Sequence, residues 1–159
     1  MRTAALHNLG CKVNSYETEA MQQLLEAAGY QIVPFHEKAD VYLINTCSVT
    51  NMADRKSRQM LHRARKQNPD AVVVAAGCYV QSASEELKKD LAVDVIIGNN
   101  KKQDLVEILE EYFQEKHQVH VIDIGNTQEY EELKISRIAD HTRAFLKVQD
   151  GCNQFCSYC

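Results

Sequence analysis

Six cysteines are the residues of this sequence whose type and spacing could do chemistry. Three are dispersed (Cys11, Cys47, Cys78) and three stand in the last eight residues (Cys152, Cys156, Cys159). In a reducing compartment such cysteines serve metal or redox sites more often than disulfides. The terminal set reads Gly151-Cys152-Asn153-Gln154-Phe155-Cys156-Ser157-Tyr158-Cys159, a Cys-x3-Cys-x2-Cys run. One short loop of this spacing wraps three corners of a cubane cluster and leaves the fourth iron without a protein ligand. An open metal position is what catalysis or substrate binding requires. The alternative is a zinc site completed by residues after 159, since no fourth Cys or His stands nearby.

The dispersed cysteines are 36 and 31 positions apart, and each follows a strand-like run by about two residues: Cys11 after Leu9, Cys47 after Asn45, Cys78 after Ala76. In a parallel sheet with right-handed crossovers every strand ends at the same edge, so the three should converge there. Adjacent strands lie ~4.8 Å apart, and three strand ends span ~10 Å. An iron–sulfur cluster can be gripped across that gap, whereas a single zinc ion demands closer convergence and usually a fourth ligand. No His, Asp or Glu occupies an equivalent position. The plainer alternative, buried cysteines acting as small hydrophobes, suits any one of them better than three at a shared offset.

The elements that must position these thiols follow from the hydrophobic pattern. Thr3–Leu9 reads as a strand. Asn14 and Glu17 resemble a capping box for a helix with Ala20, Met21, Leu24, Leu25 and Ala28 on one face and Gly29 as its stop. Asp40–Asn45 and Ala71–Ala76 read as strands, with a helix from Asn51 to Gln67 between them, ended by Pro69. A short helix from about Ser84 to Leu91, a strand at Val93–Ile97, a helix at Lys101–Lys116 and a strand at Val119–Ile124 complete the unit. Gln31–Phe35 is ambiguous: Pro34 limits it to an edge, and the four residues before Asp40 are too few for a parallel crossover. Apolar strands alternating with amphipathic helices predict an α/β fold over residues 1–124, a parallel sheet covered on both faces. Residues 125–142 turn polar and acidic (Gln128, Glu129, Glu131, Glu132) and read as a linker. Arg143–Gln149 starts a new strand, so residues 143–159 read as the opening of a second domain.

The chain has 159 residues, 45% hydrophobic and 25% charged, with two prolines, the mix of a soluble globular protein. Its longest uncharged apolar stretch, Ala71 to Ser84, is too short for a bilayer, and Met1–His7 lacks the apolar core of a signal peptide. A cytoplasmic protein without a membrane partner is expected. The net charge of −4 hides one basic island: six basic residues and no acidic one between Arg55 and Lys66. On a helix, Arg55, Arg58, His62 and Arg65 would share a stripe, either a site for RNA phosphates or a solvated face. Asn14, Asn45 and Asn100 fall near the strand-end edge, where turn and capping roles compete with contacts to a cluster or substrate. His117 and His120 read as a helix end. The six glycines form no phosphate-binding motif.

Cys-x3-Cys-x-aromatic-Cys resembles the signature of radical S-adenosylmethionine enzymes. Joined to Leu9-Gly10-Cys11-Lys12-Val13-Asn14, Asn45-Thr46-Cys47-Ser48-Val49-Thr50 and Ala76-Gly77-Cys78-Tyr79, it resembles the methylthiotransferase family over nearly the whole chain. The Leu-Gly-Cys-Lys-Val-Asn form is most similar to the branch acting on N6-threonylcarbamoyladenosine at tRNA position 37. The resemblance implies a flavodoxin-like three-layer domain followed by the first strand of a radical S-adenosylmethionine barrel. It implies a 4Fe–4S cluster on Cys152, Cys156 and Cys159 that binds and cleaves S-adenosylmethionine, and a second 4Fe–4S cluster on Cys11, Cys47 and Cys78 that carries the sulfur to be inserted. Tyr158 would line the adenine of S-adenosylmethionine or pack on the next domain. Implied partners are a tRNA, an electron donor such as a flavodoxin or ferredoxin, and a sulfur donor. The barrel and the RNA-binding domain of the family fall outside these 159 residues, so the chain is expected not to turn over by itself. The competing expectations are another branch (isopentenyladenosine tRNA or ribosomal protein), a cluster carrier, and a metal-stabilised RNA-binding module.

Overall fold

The structure, a computed structural model, describes residues 1–48, 50–98, 101–115 and Ser157. The expected strand at Val119–Ile124, the linker, the start of a second domain, Asn100, His117, His120, Tyr158 and the three terminal cysteines lie outside the described residues.

Five strands form one all-parallel sheet in the order β2-β1-β3-β4-β5: β1 Thr3–Asn8, β2 Gln31–Ile32, β3 Val41–Thr46, β4 Val72–Gly77 and β5 Val95–Ile97. β3 and β4 are buried at every position. Alternate residues feed opposite cores, which is why Val41–Ile44 and Val72–Ala76 are unbroken apolar runs rather than apolar at every second residue. Val41, Leu43, Val72, Val74 and Ala76 meet Met21, Leu25, Leu105 and Leu109 on one face. Tyr42, Ile44, Val73 and Ala75 meet Leu61, Ala64, Tyr79 and Leu87 on the other. Each such aliphatic burial contributes roughly 1.5–3 kcal/mol before ordering costs.

Helices α1 (Lys12–Ala27) and α5 (Leu105–Glu115) cover the first face; α2 (Asn51–Gln67) and the short α3 (Cys78–Ser82) and α4 (Ser84–Leu87) cover the second. α1 ends in a Schellman turn. Tyr30 N–H donates to the Leu25 carbonyl and Gly29 N–H to the Glu26 carbonyl, with Gly29 at φ +86°. Thr50 caps α2 by accepting from the Ala53 amide at 3.1 Å. Among the described residues no helix is long and apolar enough to cross a membrane.

Two sequence expectations change. Asn14 and Glu17 form no capping box: the N-cap of α1 is Cys11, so both side chains sit inside the helix and are buried. The ambiguous segment supplies an edge strand, β2, which excludes Pro34. The connection to β3 needs no helix, because β2 pairs with β1 only at Thr3 and Ala4 and β3 starts opposite Ala4. Residues 33–40 therefore cross β1 sideways without travelling back along it. Val33 and Phe35 fill the second core in place of a helix.

Candidate metal centre

The chain leaves β1 for the β2 side of the sheet and leaves β3 for the β4 side. The switch point between β1 and β3 opens at their C-terminal ends, where open α/β sheets bind ligands. Cys11 and Cys47 flank it. Thr46 is level with Gly77, so Cys47 and Cys78 leave their strands together. Asn8 is level with Asn45, and Cys11 follows one residue later in its loop.

Each motif residue has a structural task at this edge. Cys11 is exposed, in extended backbone, and its Sγ lies 3.7 Å from the Asn14 Oδ1 that accepts from it. Asn14 Nδ2 donates to the Thr46 carbonyl at 2.9 Å, which ties the start of α1 to the residue before Cys47. A Cβ on Gly10 would come within 2.7 Å of that same Nδ2. Asn45 Nδ2 donates back to the Asn14 carbonyl at 3.0 Å and to Thr18 Oγ1 at 3.1 Å. Thr46 Oγ1 donates to the Ala76 carbonyl. Gly77 has φ +96°, and a Cβ there would stand 2.3 Å from the Thr46 carbonyl oxygen. Only glycine allows β4 to turn this close to β3.

Cys47 is buried, and Ser57 of α2 holds its backbone: Ser57 Oγ donates to the Cys47 carbonyl at 3.1 Å and accepts from its amide at 3.4 Å. Cys78 is half-buried, at the first position of α3. Burial pushes its thiol pKa up; the Lys102 ammonium pulls it down, and Cys47, Glu17 and Cys11 push it up again. Cys78 is thus close enough to Cys47 and Cys11 to sense their charge. Among the described residues no three His, Cys, Asp or Glu side chains form a group that could hold a single metal ion. The donor set is three sulfurs on adjacent strand ends, which fits a sulfur-ligated cluster spread across them.

Behind the thiols lies an ion pair that sequence reasoning missed. Lys102 Nζ donates to Glu17 Oε2 at 2.6 Å, with the two side chains only 1% and 8% exposed. Lys102 follows β5 and Glu17 lies on α1, so the pair joins the second turn of α1 to the approach to α5 across the cysteine-bearing edge. Glu17 had a visible signal in its place beside Asn14; Lys102 stood in a polar run that gave none. Ser57 and Thr46 were likewise hidden, because their partners are backbone groups distant in sequence.

The predicted basic stripe divides. Arg65 turns inward: Nη1 donates to the Pro69 and Ala71 carbonyls, both at 2.8 Å, and Nη2 to the Asp94 carboxylate. Arg58 Nη1 lies 3.8 Å from the Glu86 carboxylate, and His62 Nε2 lies 2.9 Å from Asp90. Arg55 is exposed.

This chain is similar to a Threonylcarbamoyladenosine tRNA methylthiotransferase MtaB of Bacillus subtilis, 46% identical over 160 residues, covering 100% of this chain and 36% of the relative. The namesake from Aquifex aeolicus is 42% identical over 98% of this chain and 38% of its own length. A tRNA-2-methylthio-N(6)-dimethylallyladenosine synthase of Ehrlichia canis is 30% identical over 100% of this chain and 37% of its own length. The chain thus spans little more than a third of these curated relatives. The model of the uncharacterized protein family UPF0004 matches residues 3–98, a stretch that contains all three dispersed cysteines and the strands carrying them, and the chain belongs to that family.

Proposed function

We propose that this chain is the cluster-bearing N-terminal portion of a radical S-adenosylmethionine methylthiotransferase that adds a methylthio group to C2 of N6-threonylcarbamoyladenosine-37 in tRNA. The observation that carries the reading is the set of three thiols at the C-terminal ends of β1, β3 and β4, cross-tied by Asn14, Thr46 and Gly77. A 4Fe–4S cluster on Cys11, Cys47 and Cys78 would present one iron without a protein ligand and carry the sulfur to be inserted. Ser57 fixes the Cys47 backbone, Asn14 ties Cys11 to β3, and the buried Glu17–Lys102 pair acts electrostatically on Cys78. Cys78, protonated when free, would release its proton on binding metal. Cys152, Cys156 and Cys159 would hold the second cluster, with Tyr158 near the adenine of S-adenosylmethionine. An electron donor, a sulfur donor and a cytoplasmic location complete the proposal. The threonylcarbamoyladenosine branch is favoured by 46% identity to its Bacillus member against 30% to the dimethylallyladenosine synthase.

Anaerobic reconstitution tests the site: replacing Cys11, Cys47 and Cys78 by Ala should remove about one 4Fe–4S equivalent of iron and sulfide. Unchanged iron would sink the assignment. Nucleoside mass spectrometry of tRNA from a deletion strain tests the branch. The methylthio group should vanish from threonylcarbamoyladenosine and persist on isopentenyladenosine.

A further inference from the structure

We infer that the outer face of α2 is a rail for an RNA backbone, built from Arg55, Lys56, Arg63 and Lys66 rather than from Arg58 and Arg65. The inference rests on the tRNA reading above and extends it to a surface of this chain. The helix buries Ser57, Leu61 and Ala64 against the sheet. At about 100° per residue, the direction opposite that core is occupied by Lys66, Arg55, Arg63 and Lys56, all within an arc of about 100°. All four are exposed.

The cations of α2 are sorted by side. Arg58, His62 and Arg65 lie on the flank facing α4 and β5, where Glu86, Asp90 and Asp94 meet them. Among the described residues the structure gives no carboxylate within ion-pair distance of Arg55, Lys56, Arg63 or Lys66. The one acidic residue of α2, Asp54, lies off the outer arc. Four cations held on a rigid helix, in a chain of net charge −4, make a local surface complementary to a polyanion.

The placement of the face gives it direction. α2 starts at Asn51, four residues after Cys47, so Arg55 and Lys56 lie one to two turns from the cysteine-bearing edge. Lys66 lies about 15 Å further along the helix. A backbone laid on this face runs toward the thiols, which brings the nucleotides at its leading end to the centre. Exposed long side chains on one helix face suit phosphates, which need charge and reach but no base readout.

The test is binding of an in vitro transcribed tRNA to this chain, reconstituted with iron and sulfide, by fluorescence anisotropy at 50 to 200 mM salt. Replacing Lys56, Arg63 and Lys66 by Gln should flatten the log–log salt dependence by about two to three units if each touches a phosphate, and weaken binding at least tenfold at low salt. The comparison variant removes the same charge elsewhere, at the exposed Lys38, Lys88 and Lys89. It should keep the wild-type slope. Equal losses in the two variants, or no loss in the first, would overturn the rail and leave the methylthiotransferase reading standing. No binding of tRNA by the wild type would likewise overturn the rail alone, because the methylthiotransferase reading is tested separately by iron content and by tRNA from the deletion strain. Circular dichroism of each variant confirms that the substitutions leave the fold intact.

Discussion

Three glycines differ in what replaces their missing side chain. Gly77 combines φ +96° with backbone 2.3 Å from its notional Cβ, whereas Gly29 has φ +86° and open space around it. Gly77→Ala should therefore destabilise by about 3 kcal/mol or more, Gly29→Ala by roughly 1 kcal/mol. Urea unfolding of the two variants gives the ranking, and equal costs would mean that Gly77 does not set the β3–β4 approach. A Cβ on Gly10 would meet a side chain, Asn14 Nδ2 at 2.7 Å, which can swing aside; the Ala variant should impair binding of the proposed cluster more than stability. The Glu17–Lys102 pair has the opposite asymmetry. Removing one partner strands a buried charge, and Lys102→Met should cost about 3–5 kcal/mol, while Glu17→Met with Lys102→Met should recover most of it. A double variant as unstable as the single one would show that the pair contributes more than mutual neutralisation.

At the scale of elements, the segment 33–40 substitutes for a crossover helix, and its hold on the sheet depends on few side chains. Phe35 lies between His7 (ring centroids 4.9 Å apart) and Tyr42 (5.4 Å). Tyr42 Oη donates to the Glu37 carbonyl at 2.6 Å, and Asn68 Nδ2 to the Ala39 carbonyl at 2.8 Å. Burial first, then the Arg63 guanidinium, lowers the His7 pKa below its ordinary 6.5. The unfolded chain therefore takes up a proton that the folded chain resists. This part of the stability is present above pH ~6.5 and is lost as pH falls below it. Melting temperatures measured between pH 7 and about 5 should fall less steeply for His7→Phe than for the wild type; parallel curves would remove His7 from the account. At the other end of the domain, Thr50→Ala should cost α2 about 1 kcal/mol by freeing the Ala53 amide.

For the whole molecule, the strand order places the three cysteine-bearing strands in the middle of the sheet, with the two shortest strands outside them. Native-state hydrogen exchange should show β3 and β4 amides opening only with global unfolding and β2 amides far sooner. Protection of Ile32 equal to that of Leu43 would contradict this gradient. The central strands were legible because Val41–Ile44 and Val72–Ala76 are apolar at every step and Cys47 and Cys78 follow β3 and β4 directly. β2 was not, because two residues carry no period and a helix-free crossing cannot be told from a loop. The start of α1 was misplaced because Asn14 and Glu17 imitate a cap, while the residue that caps, Cys11, makes no side-chain cap bond. The basic island was visible, but which of its cations face solvent depended on Glu86, Asp90 and Asp94, whose positions only the fold supplies.

The ordering β1-β3-β4 also has a meaning in time. Cys78 leaves the ribosome 67 residues after Cys11, on the order of 3 to 13 s later at ordinary elongation rates. Until β4 pairs with β3, the nascent chain offers two thiols at most, enough for a stray copper or zinc ion or a wrong disulfide but not for the finished centre. Loading of the proposed iron–sulfur cluster is therefore a late event in the life of the chain. A loaded centre certifies that the sheet has closed, and a cell that delivers iron too early would be delivering it to the wrong ligands.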